Sequence, residues 1–192
     1  DRVPSFPPLA AIPRANVGWI SPETQQSILG CIRPDVRLLV ETMMATGARP
    51  GEAVAWKAKD LHDGGLKIER ALTQDRKVKG TKTAAVSWKI LPEDLYVRLR
   101  EHARGKLPEA WLFVNAVGRP YPTTQISWLW RQAALKARVE VCLYVASRHS
   151  RVSQLREELE RRVSEELRKE LAHTSSRITL KHYVRDDREK TK

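Results

Sequence analysis

The chain has 192 residues, 41% of them apolar, and 35 Lys and Arg against 23 Asp and Glu leave it at +12 near neutral pH. That length and apolar content suit one domain with a real core and exclude a disordered tail. No apolar run approaches the roughly 18–20 residues that span a bilayer, and the first residues lack the apolar stretch of a signal peptide.

The charge excess favours a polyanionic partner, nucleic acid first and an acidic membrane surface second. Cys31 and Cys142 match neither a metal-ligand spacing nor a disulfide framework. They are expected to be buried thiols in a reducing cytoplasm.

In chain order, Pro4, Pro7, Pro8 and Pro13 without periodicity mark residues 1–19 as an extended linker. Ser21-Pro22-Glu23-Thr24 has the form of a helix start, with Ser21 as cap and Pro22 in the first turn, and this helix should end near Cys31 to Pro34. A second helix is expected from about Asp35, burying Val36, Leu38, Leu39, Val40, Met43 and Met44, and stopping at Thr46-Gly47. Arg49-Pro50-Gly51-Glu52 then leads into a short helix carrying Ala53, Val54 and Trp56.

Asp63-Gly64-Gly65 reads as a turn, 66–72 as a strand, Lys77 to Gly80 as a second turn, and 84–91 as the partner strand. Pro92-Glu93-Asp94-Leu95 opens a helix to about Ala103. Gly118 to Pro122 is a loop, and Thr123 or Thr124 should cap a helix through Ile126, Leu129, Trp130 and Ala134. After the apolar segment 141–144 a charged helical stretch runs from Val152 to Leu171, with apolar residues every four positions and i,i+4 charge pairs. Two helices are expected there, followed by a last helix from about Ser175 to Val184. The fold class is α+β, mainly α-helical, with a small antiparallel β-sheet between helices.

Five residues spread along this chain form a set with a shared chemistry. Exchange of a phosphodiester without a metal needs a nucleophile that holds the strand covalently, cationic donors on the non-bridging oxygens, and an acid for the leaving oxygen. Arginine suits the clamp, being always charged and offering a planar fork. Thr46-Gly47-Ala48-Arg49-Pro50-Gly51-Glu52 places one arginine just past a helix end, and Tyr144-Val145-Ala146-Ser147-Arg148-His149-Ser150 supplies another. Lys82 sits between them in Gly80-Thr81-Lys82-Thr83, with Lys77 and Lys79 as rivals. His173 follows Leu171-Ala172, and Tyr183 lies ten residues beyond it. Taken singly, each has a plainer reading: solvated cations, a capping histidine, a tyrosine ring packed on the core.

Taken together, in this order and across about residues 20–185, these stretches resemble the tyrosine recombinases, the phage-integrase family of DNA strand-transfer enzymes. The first stretch is similar to the family's Thr-Gly-x-Arg-x-x-Glu box. The lysine precedes a strand ending in Leu91-Pro92, as in the family, and the last stretch resembles the Leu-Gly-His-x-Ser box with Ala172 in place of the glycine. The family's His-x-x-Arg-His is altered, because Val145 stands three residues before Arg148 and a tyrosine, Tyr144, one further back.

The resemblance implies Tyr183 as nucleophile, Arg49, Arg148 and His173 as phosphate clamps, and Lys82 as the acid. It implies supporting roles for Glu52, Tyr144 (as stand-in for the missing histidine) and His149. It also implies double-stranded DNA as substrate, no cofactor or metal, a homo-oligomer, tetrameric on paired sites, and a cytoplasmic, nucleoid-associated location without membrane contact. Residues 20–192 would be the catalytic domain with a short C-terminal tail, and 1–19 the linker from an N-terminal core-binding domain. The rival expectation is a catalytically degenerate DNA-binding module of the same fold.

Overall fold

The computed structural model describes residues 18–80 and 86–171. Helix α1 (Pro22–Gly30) starts as its sequence dictates, with the Ser21 hydroxyl accepting from the Thr24 N–H at 3.3 Å. Helix α2 (Pro34–Thr46) follows, then the short α3 (Pro50–Ala53) and a 3₁₀ turn, Ala58–Asp60. Five short strands come next: β1 (Leu61–His62), β2 (Gly65–Ile68), β3 (Arg70–Leu72), β4 (Val78–Gly80) and β5 (Ser87–Ile90). Helices α4 (Glu93–Ala103) and α5 (Thr123–Lys136), a π-helical turn (Val145–His149) and α6 (Ser150–Leu171) complete the described chain.

The core is a helical layer. Ile28 and Leu29 of α1, Val36, Leu39, Val40 and Met43 of α2, and Ile126, Leu129 and Trp130 of α5 pack in one cluster and are almost wholly excluded from water. Burial of side chains of this size stabilises by roughly 1.5–3 kcal/mol each. Trp56 joins the same cluster and meets the ring of Phe113 at 6.3 Å. The expected positions of α1, α2, α4 and α5 hold to within a residue or two.

The sheet region departs from expectation. The single strand expected over 66–72 is two strands, β2 and β3, belonging to two separate antiparallel sheets, β1-β2-β5 and β3-β4. The break falls at Glu69, beside the point where Arg70 turns its guanidinium onto the buried Asp60 at 2.5 Å. The segment expected to be the second turn carries β4, which pairs Val78 with Leu72 and Gly80 with Arg70. The turn instead lies at Thr73–Lys77, where the Thr73 N–H donates to the Lys77 carbonyl at 3.0 Å and the Thr73 hydroxyl accepts from the Lys77 N–H at 3.1 Å. Arg76 takes a positive φ of 58° there, a place where a glycine would have advertised the turn.

Three smaller corrections follow. Pro122, not a threonine, is the cap residue of α5. Cys31 and Cys142 are exposed rather than buried, because Cys31 caps the end of α1 and Leu143 takes the inward position next to Cys142. The charged stretch is one uninterrupted helix of 22 residues and not two. No glycine or proline interrupts it, and Arg156–Glu160, Arg161–Glu165 and Arg162–Glu158 pair along its surface. Its Leu155, Leu159 and Val163 stay exposed, so this apolar stripe is not what holds the helix; its first turns are tied down instead by Ser150 and Gln154, which bond to Ile20 and Gln25.

Asp60 pins the sheet region to the helices. It is 1% exposed and accepts from the Lys57 backbone N–H at 2.7 Å as well as from Arg70. Asp60→Ala leaves Arg70 with Glu69 as its carboxylate partner but removes the acceptor of the Lys57 N–H and one half of a buried ion pair, a loss of about 1–3 kcal/mol. A urea titration should show the midpoint falling with the slope unchanged.

Candidate functional site

Helix α2 ends in a way that delivers Arg49 to the surface. The Thr46 hydroxyl donates to the Thr42 carbonyl at 2.7 Å and accepts from the Ala48 N–H at 3.3 Å. Gly47 adopts φ +67°, the left-handed conformation that glycine enters without strain, and its N–H closes on the Met43 carbonyl at 2.8 Å. Arg49 is then extended and caps α3 from its own backbone, donating to Glu52 Oε2 at 2.9 Å, while its Nη1 donates to Glu52 Oε1 at 2.8 Å.

The residue after Pro50 has to be glycine, since a Cβ on Gly51 would lie 2.8 Å from the Leu72 carbonyl oxygen. That close approach seats α3 on β3. Glu52 is buried at 5% exposure, whereas the Arg49 side chain keeps 35% of its surface in solvent. The hydrogen bond it donates to Glu52 raises the pKa of the Arg49 guanidinium above its ordinary value, partial burial opposes this, and the Tyr144 phenol adds a smaller stabilisation of the charge.

Arg148 arrives from the other end of the chain. Its Nη1 donates to the Gly47 carbonyl at 3.2 Å across 101 residues of sequence. The π-helical turn that carries it is tied down on several sides. Gln25 Nε2 donates to the Ala146 carbonyl at 2.6 Å, the Ser150 hydroxyl donates to the Val145 carbonyl at 2.9 Å, and the Ile20 N–H donates to Ser150 Oγ at 3.0 Å. Trp130 Nε1 donates to the Val141 carbonyl at 2.8 Å, fixing the approach to this turn on α5. The Tyr144 ring meets His149 edge-on at 5.0 Å.

The residues singled out from sequence therefore fall into two groups. Arg49, Glu52, Tyr144, Arg148 and His149 come together around Gly47, with Glu52 behind Arg49 as its anchor. Lys82, His173 and Tyr183 lie outside the described residues, as does the expected last helix. Lys77 and Lys79 are exposed on or beside β4.

One cation at this site carries no motif of its own. Arg151, one helical turn beyond Arg148, lays its Cγ 3.5 Å from where a Gly47 side chain would begin. The i,i+3 spacing from Arg148 is the only trace of it in the sequence.

Chemically, the described part of the site presents partly exposed cations, the Arg49 side chain keeping 35% of its surface in solvent. A cavity of about 660 Å³ lies between α5 and residues 138–143, and one of about 210 Å³ beside Val54, Leu72 and Trp111; neither is lined by Arg49 or Arg148. Two anchored guanidinium groups on such a surface suit the phosphate of a large ligand that lies across it. Among the described residues no three His, Cys, Asp or Glu side chains come together as metal ligands, and no helix is long and apolar enough to cross a membrane.

Comparison with known proteins is consistent with this geometry. A family model described as "Phage integrase family" matches residues 19–190. No curated protein sequence matches the chain. Among solved structures, the integrase of transposon Tn1549, in complex with circular-intermediate DNA, superposes with a TM-score of 0.66 at 14% identity, over 92% of this chain and 64% of that one. The catalytic domain of bacteriophage HP1 integrase gives 0.53 at 19% identity, over 85% of this chain and 84% of that one. XerA recombinase gives 0.56 at 16% identity, over 89% and 61%. The chain thus spans less than two thirds of the length of the transposon integrase, and the similarity at these identities is one of fold.

Proposed function

Because the chain belongs to the phage integrase family, we propose that it is the catalytic domain of a site-specific DNA recombinase that cuts and rejoins strands through a 3′-phosphotyrosyl intermediate. The observation that carries this reading is the meeting of Arg49 and Arg148 at Gly47, each held by a named acceptor and each leaving part of its guanidinium free. Arg148 is thus bonded to the carbonyl of the residue two before Arg49, the kind of proximity that a shared phosphate clamp needs.

In this mechanism the Tyr183 phenol gives its proton to water and attacks phosphorus. A bond from phosphorus to the tyrosine oxygen forms, and the bond to the 5′ oxygen breaks. Arg49, Arg148 and His173 hold the non-bridging oxygens, where developing charge makes such donors most effective. Lys82 protonates the leaving oxygen, and a 5′ hydroxyl from another strand reverses the step. The bond energy is kept in the phosphotyrosine. Glu52 serves by fixing Arg49. Double-stranded DNA is the substrate in this reading, which the DNA held in the solved complexes of the transposon integrase and of lambda integrase supports. Pairing of two sites calls for a homo-oligomer, a tetramer in the full assembly.

The test is covalent capture on a nicked duplex carrying the cognate site, using the longest chain of this protein available. A denaturing gel should show a protein–DNA adduct, and non-covalent binding should weaken steeply with salt as phosphate contacts are screened. Salt-sensitive binding with no adduct would favour the rival account, a DNA-binding module that has lost its chemistry. The valine three residues before Arg148 is what gives that account its footing.

A further inference from the structure

The smaller of the two cavities lies against the clamp without belonging to it. Its floor is the apolar seam between α3 and β3, made by Val54 and Leu72, and its walls are the rings of Trp111 and Tyr121. Val54 and Tyr121 are almost wholly buried, and the Tyr121 hydroxyl is committed to Asp35 at 3.1 Å. Lys57, itself held by Glu109 at 2.6 Å, stands 5.5 Å from the centre of the Trp111 ring. Arg76, from the turn at Thr73–Lys77, and Arg119, from the loop before α5, complete the lining. Both arginines are exposed, and among the described residues neither guanidinium has a hydrogen-bond or ion-pair partner; nor has the Thr123 hydroxyl beside them.

These features select among ligands. A volume of about 210 Å³ is that of roughly seven waters at about 30 Å³ each, room for one planar heterocycle and too little for a helix or strand of a partner. Aromatic walls suit a ring that stacks, as nucleic-acid bases do. Two guanidinium groups with no carboxylate call for an anion, and the arginine fork fits phosphate. A nucleotide meets both requirements. The place fits as well. Val54 is five residues beyond Arg49, and at about 1.5 Å per helical residue their backbones lie roughly 7–8 Å apart. At about 3.4 Å per nucleotide along a duplex strand, that is about two nucleotides.

We propose that this cavity takes one base of the bound DNA, extruded about two nucleotides from the phosphate at Arg49 and Arg148, with Arg76 and Arg119 on that nucleotide's own phosphate. Trp111 and Tyr121 flank the base, and the Thr123 hydroxyl bonds its polar edge. Extrusion gives up pairing and stacking in the duplex, which stacking in the cavity and charge-assisted bonds to the phosphate offset. The proposal rests on the recombinase reading and deepens it, giving the strand a second hold beside the clamp.

Two measurements test it. In the first, the protein is titrated with deoxyadenosine monophosphate to millimolar concentration while its six tryptophan indole N–H signals are followed by NMR, Trp111 being identified with Trp111→Phe. The Trp111 signal should shift and saturate, and combining Arg76→Gly with Arg119→Ala should weaken the affinity by about tenfold or more. Both substitutions spare the fold, since the Arg119 guanidinium bonds nothing among the described residues and glycine suits the φ of 58° at position 76. An unmoved Trp111 signal, an unchanged affinity in the double variant, or equal binding of deoxyadenosine without its phosphate overturns the site.

In the second, duplexes with the cognate site each carry one mismatch within about three nucleotides of the cleaved bond. A mismatched base is already unpaired, so at the position that serves the cavity binding should tighten by about tenfold, a gain the double variant loses. A gain at no position, or the same gain in the double variant, overturns the extrusion. Failure of the recombinase reading shows separately, as absence of any covalent adduct, and the nucleotide titration then decides the site by itself.

Discussion

Replacing Arg148 by alanine should slow covalent capture of DNA by on the order of 100- to 1,000-fold, the usual effect of removing one preorganised donor from a developing oxyanion. Of the two proposed clamps Arg148 is the cleaner to remove. Among the described residues its side chain donates to the Gly47 carbonyl and forms no ion pair with a carboxylate. Truncation therefore strands no buried charge, and duplex binding should fall only a few-fold. Arg49→Ala should lose a similar factor in rate but also destabilise the fold, because Glu52, buried behind it, loses its cation. Arg148→Lys keeps the charge without the planar fork and should recover only part of the rate. Full activity in Arg148→Ala would remove this arginine from the clamp.

Tyr183→Phe should abolish covalent product altogether while leaving salt-dependent binding at the wild-type level. The substitution removes the one oxygen that, in the proposed mechanism, forms the bond to phosphorus, and no other group would replace it. Its effect is the largest expected of any single substitution. It also separates chemistry from binding, which the arginine variants do less sharply.

Much of the helical framework can be read from the sequence because its signals are local. Ser21-Pro22 starts α1, Gly47 stops α2, Pro92-Glu93 starts α4, and apolar spacing marks the buried faces. The sheet region is less legible. The break at Glu69 lies beside the bond from Arg70 to Asp60, ten residues away, and the turn at Thr73 is closed by a hydroxyl with Arg76 in a conformation usually marked by glycine. Neither leaves a mark in periodicity or composition.

At the site, the motif residues Arg49, Glu52, Arg148 and His149 could be named in advance, but not how they are held. The bond from Arg148 to Gly47, the packing of Arg151 on that glycine, and the hydroxyl and amide contacts that sustain the π turn all depend on segments far apart in sequence. The π turn over Val145–His149 leaves no mark in the sequence, since the residues that sustain it come from α1 as well as from the turn itself.

The most direct measurement of the central claim is mass-spectrometric mapping of the covalent adduct after nuclease and protease digestion. The protein has four tyrosines. Tyr121 is buried with its hydroxyl on Asp35 at 3.1 Å, Tyr96 lies on α4, and Tyr144 stands exposed beside Arg49. The account predicts a nucleotide mass on the peptide containing Tyr183 and on no other. A nucleotide on Tyr144, or an adduct that survives in Tyr183→Phe, would contradict it.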